Sequence, residues 1–268
     1  MNPATRKEAP RMPVLFLGHG NPMNAIRDTA FTRTLARLGQ RLPRPRAILC
    51  ISAHWMTKGT WITDMGRPRT IHDFYGFPDE LFAVQYPAPG DPAVAESIRR
   101  ASTDPAIHPD TGEWGLDHGA WSVLRHMYPA ADVPVVQLSL DMTQPAAFHF
   151  ALGEKLKRWR DAGILVIGSG NIVHNLRRIR FEDTAAPYDW AVEFDAWVKQ
   201  RLEERNFRAL VDEARQSAAG QLSIPTPDHW FPFLYTLGAA DAGEALRFEY
   251  EGIDNASVSM RCVSLGAE

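Results

Sequence analysis

Short unbroken apolar runs alternate along this chain with longer stretches in which apolar residues recur every three or four positions. The runs at 14–17 (with Met12 ahead of them), 46–52, 133–138 and 164–167 have the continuity of strands buried on both faces. Between the first two, 28–42 reads as an amphipathic helix. Ala30, Phe31, Leu35, Leu38 and Leu42 share one side, Arg33, Arg37 and Arg41 lie on another, and Pro43 and Pro45 close it. Further helices are predicted over 93–101, 120–127, 145–162, 189–205, 208–217 and 225–240. A short strand is expected at 61–63 after a turn at Lys58-Gly59, and the tail alternates as antiparallel strands at 247–250 and 257–265. Two passages, 66–92 and the one through Pro109 and Gly112, carry no period and read as loops. Strands alternating with helices predict an α/β fold: a single domain over 12–268 with a central, mostly parallel (mixed) sheet flanked by helices, preceded by a polar tail at 1–11.

Composition narrows the class of protein. The net charge of −3 comes without a block of like charge, so neither nucleic acid nor a membrane is an expected partner. The polar first residues lack the apolar segment of a signal peptide, and no apolar run is long enough to span a bilayer, which predicts a cytoplasmic protein. Cys50 and Cys262 lie in apolar runs and read as buried thiols, not as a disulfide. Less ordinary are nine His and eight Trp, several of them clustered.

His19, His54 and His174 each follow an apolar run, within the turns Gly18-His19-Gly20, Ala53-His54-Trp55 and the segment 168–175. His118 and His229 each stand at the mouth of a helix, and an aspartate precedes each. In a parallel sheet the carboxyl ends of the strands share one edge, where ligands bind, so these imidazoles are placed to converge there. Converging neutral imidazoles suit zinc or iron. The glycines around His19 are read as room kept beside its ring for the open side of a metal. His72 is within reach of the site but as readily solvated, and His108, His126 and His149 read as surface or packing residues.

Other templates fail. Gly168-Ser169-Gly170 lacks the third glycine of a dinucleotide fingerprint, because Val173 stands there, and its glycines flank the serine too closely for a nucleophile elbow. The serine is read as part of a turn that must stay small. Phe74, Tyr75 and Phe77, with Trp55, Trp114 and Trp230 beside the histidines, suggest an enclosed site for a planar ring.

Six segments in order, GHGNPM at 18–23, SAHW at 52–55, HDFYGFP at 72–78, GLDHGAW at 115–121, GSGNIVHNL at 168–176 and TPDHWFP at 226–232, resemble the 4,5-DOPA extradiol dioxygenase type. This belongs to the class III (LigB-like) ring-cleaving catechol dioxygenases. The resemblance implies an oxidoreductase that inserts O₂ into a catechol such as L-DOPA, with 4,5-cleavage next to the hydroxyls. It implies His19, His54 and His229 as metal ligands and His174 as the acid–base residue, near enough to be a fourth ligand in some states. His118 would lie in the substrate pocket, hydrogen-bonding a hydroxyl or the oxygen. Many class III enzymes use two histidines and a carboxylate, so Asp228 stands as the alternative to His229. Fe(II) is the implied working metal, with Zn(II) able to occupy the site as purified. An all-imidazole set would leave the +2 charge uncompensated and favour a deprotonated catechol. The alternatives are a zinc-dependent hydrolase using the same cluster and a non-catalytic metal- or aromatic-binding protein. The partners expected are a small catechol and O₂, with the chain a monomer or small homo-oligomer.

Overall fold

The fold is that of a computed structural model, which describes residues 11–182 and 185–267. The first half of the chain runs β1 (Val14–Gly18), α1 (Ala30–Arg41), β2 (Ala47–Thr57), β3 (Thr60–Thr63), α2 (Asp79–Phe82), α3 (Pro92–Ala101), β4 (Ile107–Asp110) and α4 (His118–Met127). The second half runs β5 (Val135–Asp141), α5 (Ala146–Leu156), β6 (Ile164–Gly170), α6 (Asp189–Glu203), α7 (Phe207–Asp212), α8 (Ala218–Ser223), α9 (Phe231–Ala239) and the strands β7 (Leu246–Tyr250), β8 (Ile253–Asp254), β9 (Val258–Ser259) and β10 (Cys262–Leu265). All but 1 residue of the polar tail expected at 1–11 lies outside the described residues; Arg11 itself is tied to Asp161 and Asp241 by ion pairs.

The eight-stranded sheet has the order β4-β3-β5-β2-β6-β1-β10-β7. Its centre, β5-β2-β6-β1, is parallel. β3 pairs antiparallel with β5, and β10 pairs antiparallel with β1 and β7. The unbroken apolar runs follow from cover on both faces. Val14 and Phe16 pack with α5, α6 and α9, while Leu15 and Leu17 pack with α1 and α4.

The structure shifts several expected boundaries for local reasons. Helix α1 starts at Ala30, not 28, because Thr29 caps it: Thr29 Oγ1 accepts from the Thr32 amide and Thr32 Oγ1 from the Thr29 amide. The passage through Pro109, expected to be irregular, is strand β4. Among the described residues it pairs with β3 alone, and an edge strand tolerates a proline. The helix expected over 225–240 is restricted to Phe231–Ala239, and the one over 208–217 gives way to the separate helices α7 and α8.

The largest difference lies at 168–170. The sequence suggests a turn; the structure carries β6 straight through Gly168, Ser169 and Gly170, paired with β1 on one side and β2 on the other. The two glycines are small because α9 and the chain entering it lie directly on this face of the strand. A Cβ at Gly168 would meet the Pro232 carbonyl oxygen, and one at Gly170 the His229 carbonyl oxygen. Gly170→Ala should therefore lower stability by about 1–3 kcal/mol and displace His229. Denaturant unfolding together with zinc titration checks this, and unchanged values for both would contradict the packing described.

Candidate metal centre

β1, β6 and β2 are neighbours, so their carboxyl ends lie side by side. Leu17 pairs with Ser169, and Ser169 pairs with Ser52. His19 follows β1 directly. His54 lies inside β2, two residues past Ser52, where the pairing with β5 is irregular between Ile51 and Met56. His229 enters from the third side, just ahead of α9, with its carbonyl accepting from the Asn171 amide at the end of β6. The glycines flanking His19 serve packing. A Cβ on Gly18 would lie 2.8 Å from the Met260 carbonyl carbon, and Gly20, at φ +63°, faces the Met260 sulfur. The room beside His19 belongs to the chain at 259–261, which corrects the expectation that it is kept for a ligand.

The three rings form a nearly equilateral triangle. Centroids are 5.1 Å apart for His19–His54, 5.2 Å for His19–His229 and 5.1 Å for His54–His229. One nitrogen from each lies within 4.8 Å of the other two. Hydrogen bonds fix which nitrogen faces inward. Ser169 Oγ donates to the Gly119 carbonyl at 2.6 Å, so toward His19 it accepts, and His19 Nδ1 must carry the proton at 2.9 Å. His229 Nδ1 donates to Asp228 Oδ2 at 2.5 Å, and His54 Nδ1 lies 3.3 Å from Asp73 Oδ2. The Nε2 atoms of His19 and His229 are thereby bare lone pairs, and the Asp73 carboxylate favours the same tautomer at His54. His19 Nε2 and His54 Nε2 stand 3.2 Å apart, and with the His54 proton on Nδ1 there is none to share between them.

With those tautomers the facing nitrogens leave a place for a cation between them. A proton is a poor candidate. Burial and the neighbouring imidazoles hold His19 well below its ordinary pKa of 6.5, and burial with His118 and the other rings does the same for His54. A divalent transition metal fits the donor set, since it binds neutral imidazole and three ligands on one side leave further positions open.

The charge balance differs from the sequence expectation. The imidazoles are backed by two carboxylates, Asp73 behind His54 and Asp228 behind His229. Burial opposes the charge on both, but hydrogen bonds from His118 and His229 respectively outweigh it and pull both pKa values down. Both are anionic at neutral pH, so a dication here would be compensated from outside its own ligand set. Such carboxylate–histidine pairs fix the tautomer and raise ligand basicity. Asp228, weighed above as a ligand in place of His229, occupies the supporting position.

Two further rings border the triangle. His118, the first residue of α4 behind its Asp117 cap, lies with its centroid 3.9 Å from His54 and 5.6 Å from His19. His174 stacks on His229 at 3.4 Å and 11° and groups with Asp228 and His229, outside the His19–His54–His229 triangle. Among the aromatics, Phe74 reaches His118 edge-on at 5.5 Å, with Phe77 behind it, and Trp55 stacks on Trp114 at 5.7 Å. Trp230 instead packs on Phe194 and Phe233 in the core, and Tyr75 is exposed.

The remaining histidines have other partners. His72 Nε2 meets the Val84 carbonyl and its ring packs on Trp121; His108 lies against Trp61 and His126 bonds the Asn24 carbonyl. His149 is buried against Phe231 at 3.8 Å, and burial lowers its pKa to about 4. Between about 6.5 and 4 the unfolded chain takes up a proton that folded His149 refuses, so stability falls as pH falls through this window. Asp117, raised by burial to about 6, works in the opposite sense but does so in every variant. Over this window the wild type should lose about 3 kcal/mol more than His149→Phe. Denaturant midpoints at a series of pH values check it, and parallel curves would refute the assignment.

Asp73 and the hydroxyl of Ser169, read above only as small, are the site groups that the sequence did not point to. The aspartates before His118 and His229 were visible as neighbours, whereas Asp73 follows the more conspicuous His72 in a loop.

A family model for the catalytic LigB subunit of aromatic ring-opening dioxygenase matches residues 13–260. The chain is 47% identical over 262 residues to a 4,5-DOPA dioxygenase extradiol of Escherichia coli K12, covering 96% of this chain and 95% of that one. A protein of the same name from Beta vulgaris is 35% identical over 232 residues, covering 84% and 85%. The crystal structure of an uncharacterized Escherichia coli K12 protein superposes with a TM-score of 0.84 at 44% identity, covering 96% of this chain and all of that one.

Proposed function

The chain belongs to the family of the catalytic LigB subunit of aromatic ring-opening dioxygenases, and from that premise we propose that it opens the ring of a catechol such as L-DOPA by 4,5-extradiol cleavage with Fe(II). That it is a ring-opening dioxygenase acting on a small aromatic molecule and O₂ follows from the family. The catechol, the bond cut and the metal are our reading. The observation that carries it is the convergence of His19, His54 and His229 at the strand ends, one ring nitrogen of each within 4.8 Å of the other two.

His19, His54 and His229 would hold the metal. Bound there, Fe(II) would supply open positions for both catechol oxygens and for O₂ and a route for electrons between them. The protein's own contribution is to hold rings and move protons. Ser169 and Asp228 keep the Nδ1 protons of His19 and His229 outward, and the Asp73 carboxylate faces Nδ1 of His54 at 3.3 Å. His174 is held well below its ordinary pKa, by burial first and then by His229, against the opposing charge of Asp228. It is neutral at pH 7, so toward a catechol hydroxyl it offers a lone pair, and we give it the acid–base role. His118, held by Asp73, presents its other nitrogen to a substrate hydroxyl. Phe74 offers an apolar edge beside it for the ring. We assign the reaction to the cytoplasm, in keeping with the free buried thiols of Cys50 and Cys262.

The test is reconstitution of metal-free protein under anaerobic conditions with Fe(II) or Zn(II), followed by L-DOPA and then air. Oxygen uptake and a yellow product with iron alone are expected. Zinc-dependent ester or amide hydrolysis, with no uptake on any catechol, would overturn the reading.

A further inference from the structure

One carboxylate serves two imidazoles at the edge of the centre. Asp73 Oδ2 lies 2.9 Å from His118 Nδ1 and 3.3 Å from His54 Nδ1, while Asp73 Oδ1 accepts the His118 backbone amide at 2.9 Å. The two rings lie 3.9 Å apart, closer than any other pair in contact with His54. Asp73 comes from the loop between β3 and α2, and its carboxylate is the link between that loop, the start of α4 and the far end of β2.

We propose that Asp73 is a shared positioning residue: a single carboxylate that sets the tautomer of a metal-facing ring, His54, and of a substrate-facing ring, His118, at once. A carboxylate has no proton to give at neutral pH, so His118 Nδ1 must donate to it, and the same anion, 3.3 Å from His54 Nδ1, favours the proton on that nitrogen too. Both Nε2 atoms are then acceptors. His54 can ligate only in that tautomer, and His118 can receive a hydroxyl proton only in that tautomer. The same residue thus couples metal retention to acceptance of a substrate hydroxyl. The inference rests on the metal-centre reading above but not on ring cleavage.

Asparagine at 73 separates this from simple packing. It keeps the shape of the side chain and can keep one oxygen on the His118 amide. The NH₂ group then faces His118 Nδ1 and forces the proton to Nε2, leaving neither ring held by a charge.

The experiment uses zinc and no catechol, so failure of ring cleavage would not bear on it. Long-range proton–nitrogen correlation spectra report the tautomer of each histidine in the zinc-loaded chain. In the wild type, both His54 and His118 should carry their proton on Nδ1. In Asp73→Asn, the His118 proton should move to Nε2, and zinc affinity measured against a chromophoric chelator should fall about 10–100-fold. Asp73→Glu should recover part of that loss. An Nε2 proton on either ring in the wild type overturns the proposal and needs no variant to see. Unchanged His118 tautomer and zinc affinity in Asp73→Asn also overturn it. So does binding of two zinc ions by the wild type and one by the variant, which would make Asp73 a ligand in its own right.

Discussion

His174→Ala will lower turnover of L-DOPA by the iron-loaded chain about 10²–10⁴-fold, the usual contribution of a positioned acid–base group, and leave zinc affinity within a few-fold of wild type. The backbone at 174 does not depend on the ring: the His174 amide donates to the Ser223 carbonyl at 2.9 Å, and the residue bridges to Val258. The ring's contact is the stack on His229, whose own orientation is held by Asp228. Removing the ring takes away a neutral base beside the centre while His19, His54 and His229 keep their partners. Steady-state kinetics and chelator competition on the same preparations decide it. Turnover near the wild-type value would remove His174 from the chemistry. A loss of zinc affinity as large as that of a ligand variant would make it a fourth ligand instead.

His229→Ala will cost more, because it takes one corner from the triangle. Its loss leaves two imidazoles to hold the metal and frees Asp228 from the ring it supports. Zinc affinity should fall by more than the roughly 10–100-fold that a supporting partner contributes, and ring cleavage should not return when excess Fe(II) is added. Asp228→Asn is the comparison, expected within that 10–100-fold range. An affinity for His229→Ala within tenfold of wild type would mean that Asp228 moves in as a ligand, contrary to the geometry drawn here.

Much of this was legible in the sequence, and the reasons are specific. The four parallel strands are covered on both faces, so their apolar runs are unbroken and their carboxyl ends could be found by eye. The five histidines singled out, His19, His54, His118, His174 and His229, do lie in ring contact with one another around that edge. What was hidden is tertiary. The glycines at 168 and 170 answer to carbonyl groups of the segment 229–232, some 60 residues later, which no local pattern encodes. β4 was hidden by Pro109, acceptable only because the strand lies at an edge. Asp73 was masked by His72, whose side chain goes to Val84 and Trp121 while the next residue goes to His118. Trp230 sat beside a candidate ligand in sequence and packs away from it in space.

In the proposed reaction this constellation inserts both atoms of O₂ into a catechol ring. The direct measurement is one turnover of L-DOPA by the iron-loaded chain under isotopically labelled dioxygen, with reductive quenching so that an aldehyde oxygen cannot exchange with water, followed by mass spectrometry of the ring-opened product. Two labelled oxygens in that product are predicted; a ring-opened or hydroxylated product carrying one label or none would contradict the account.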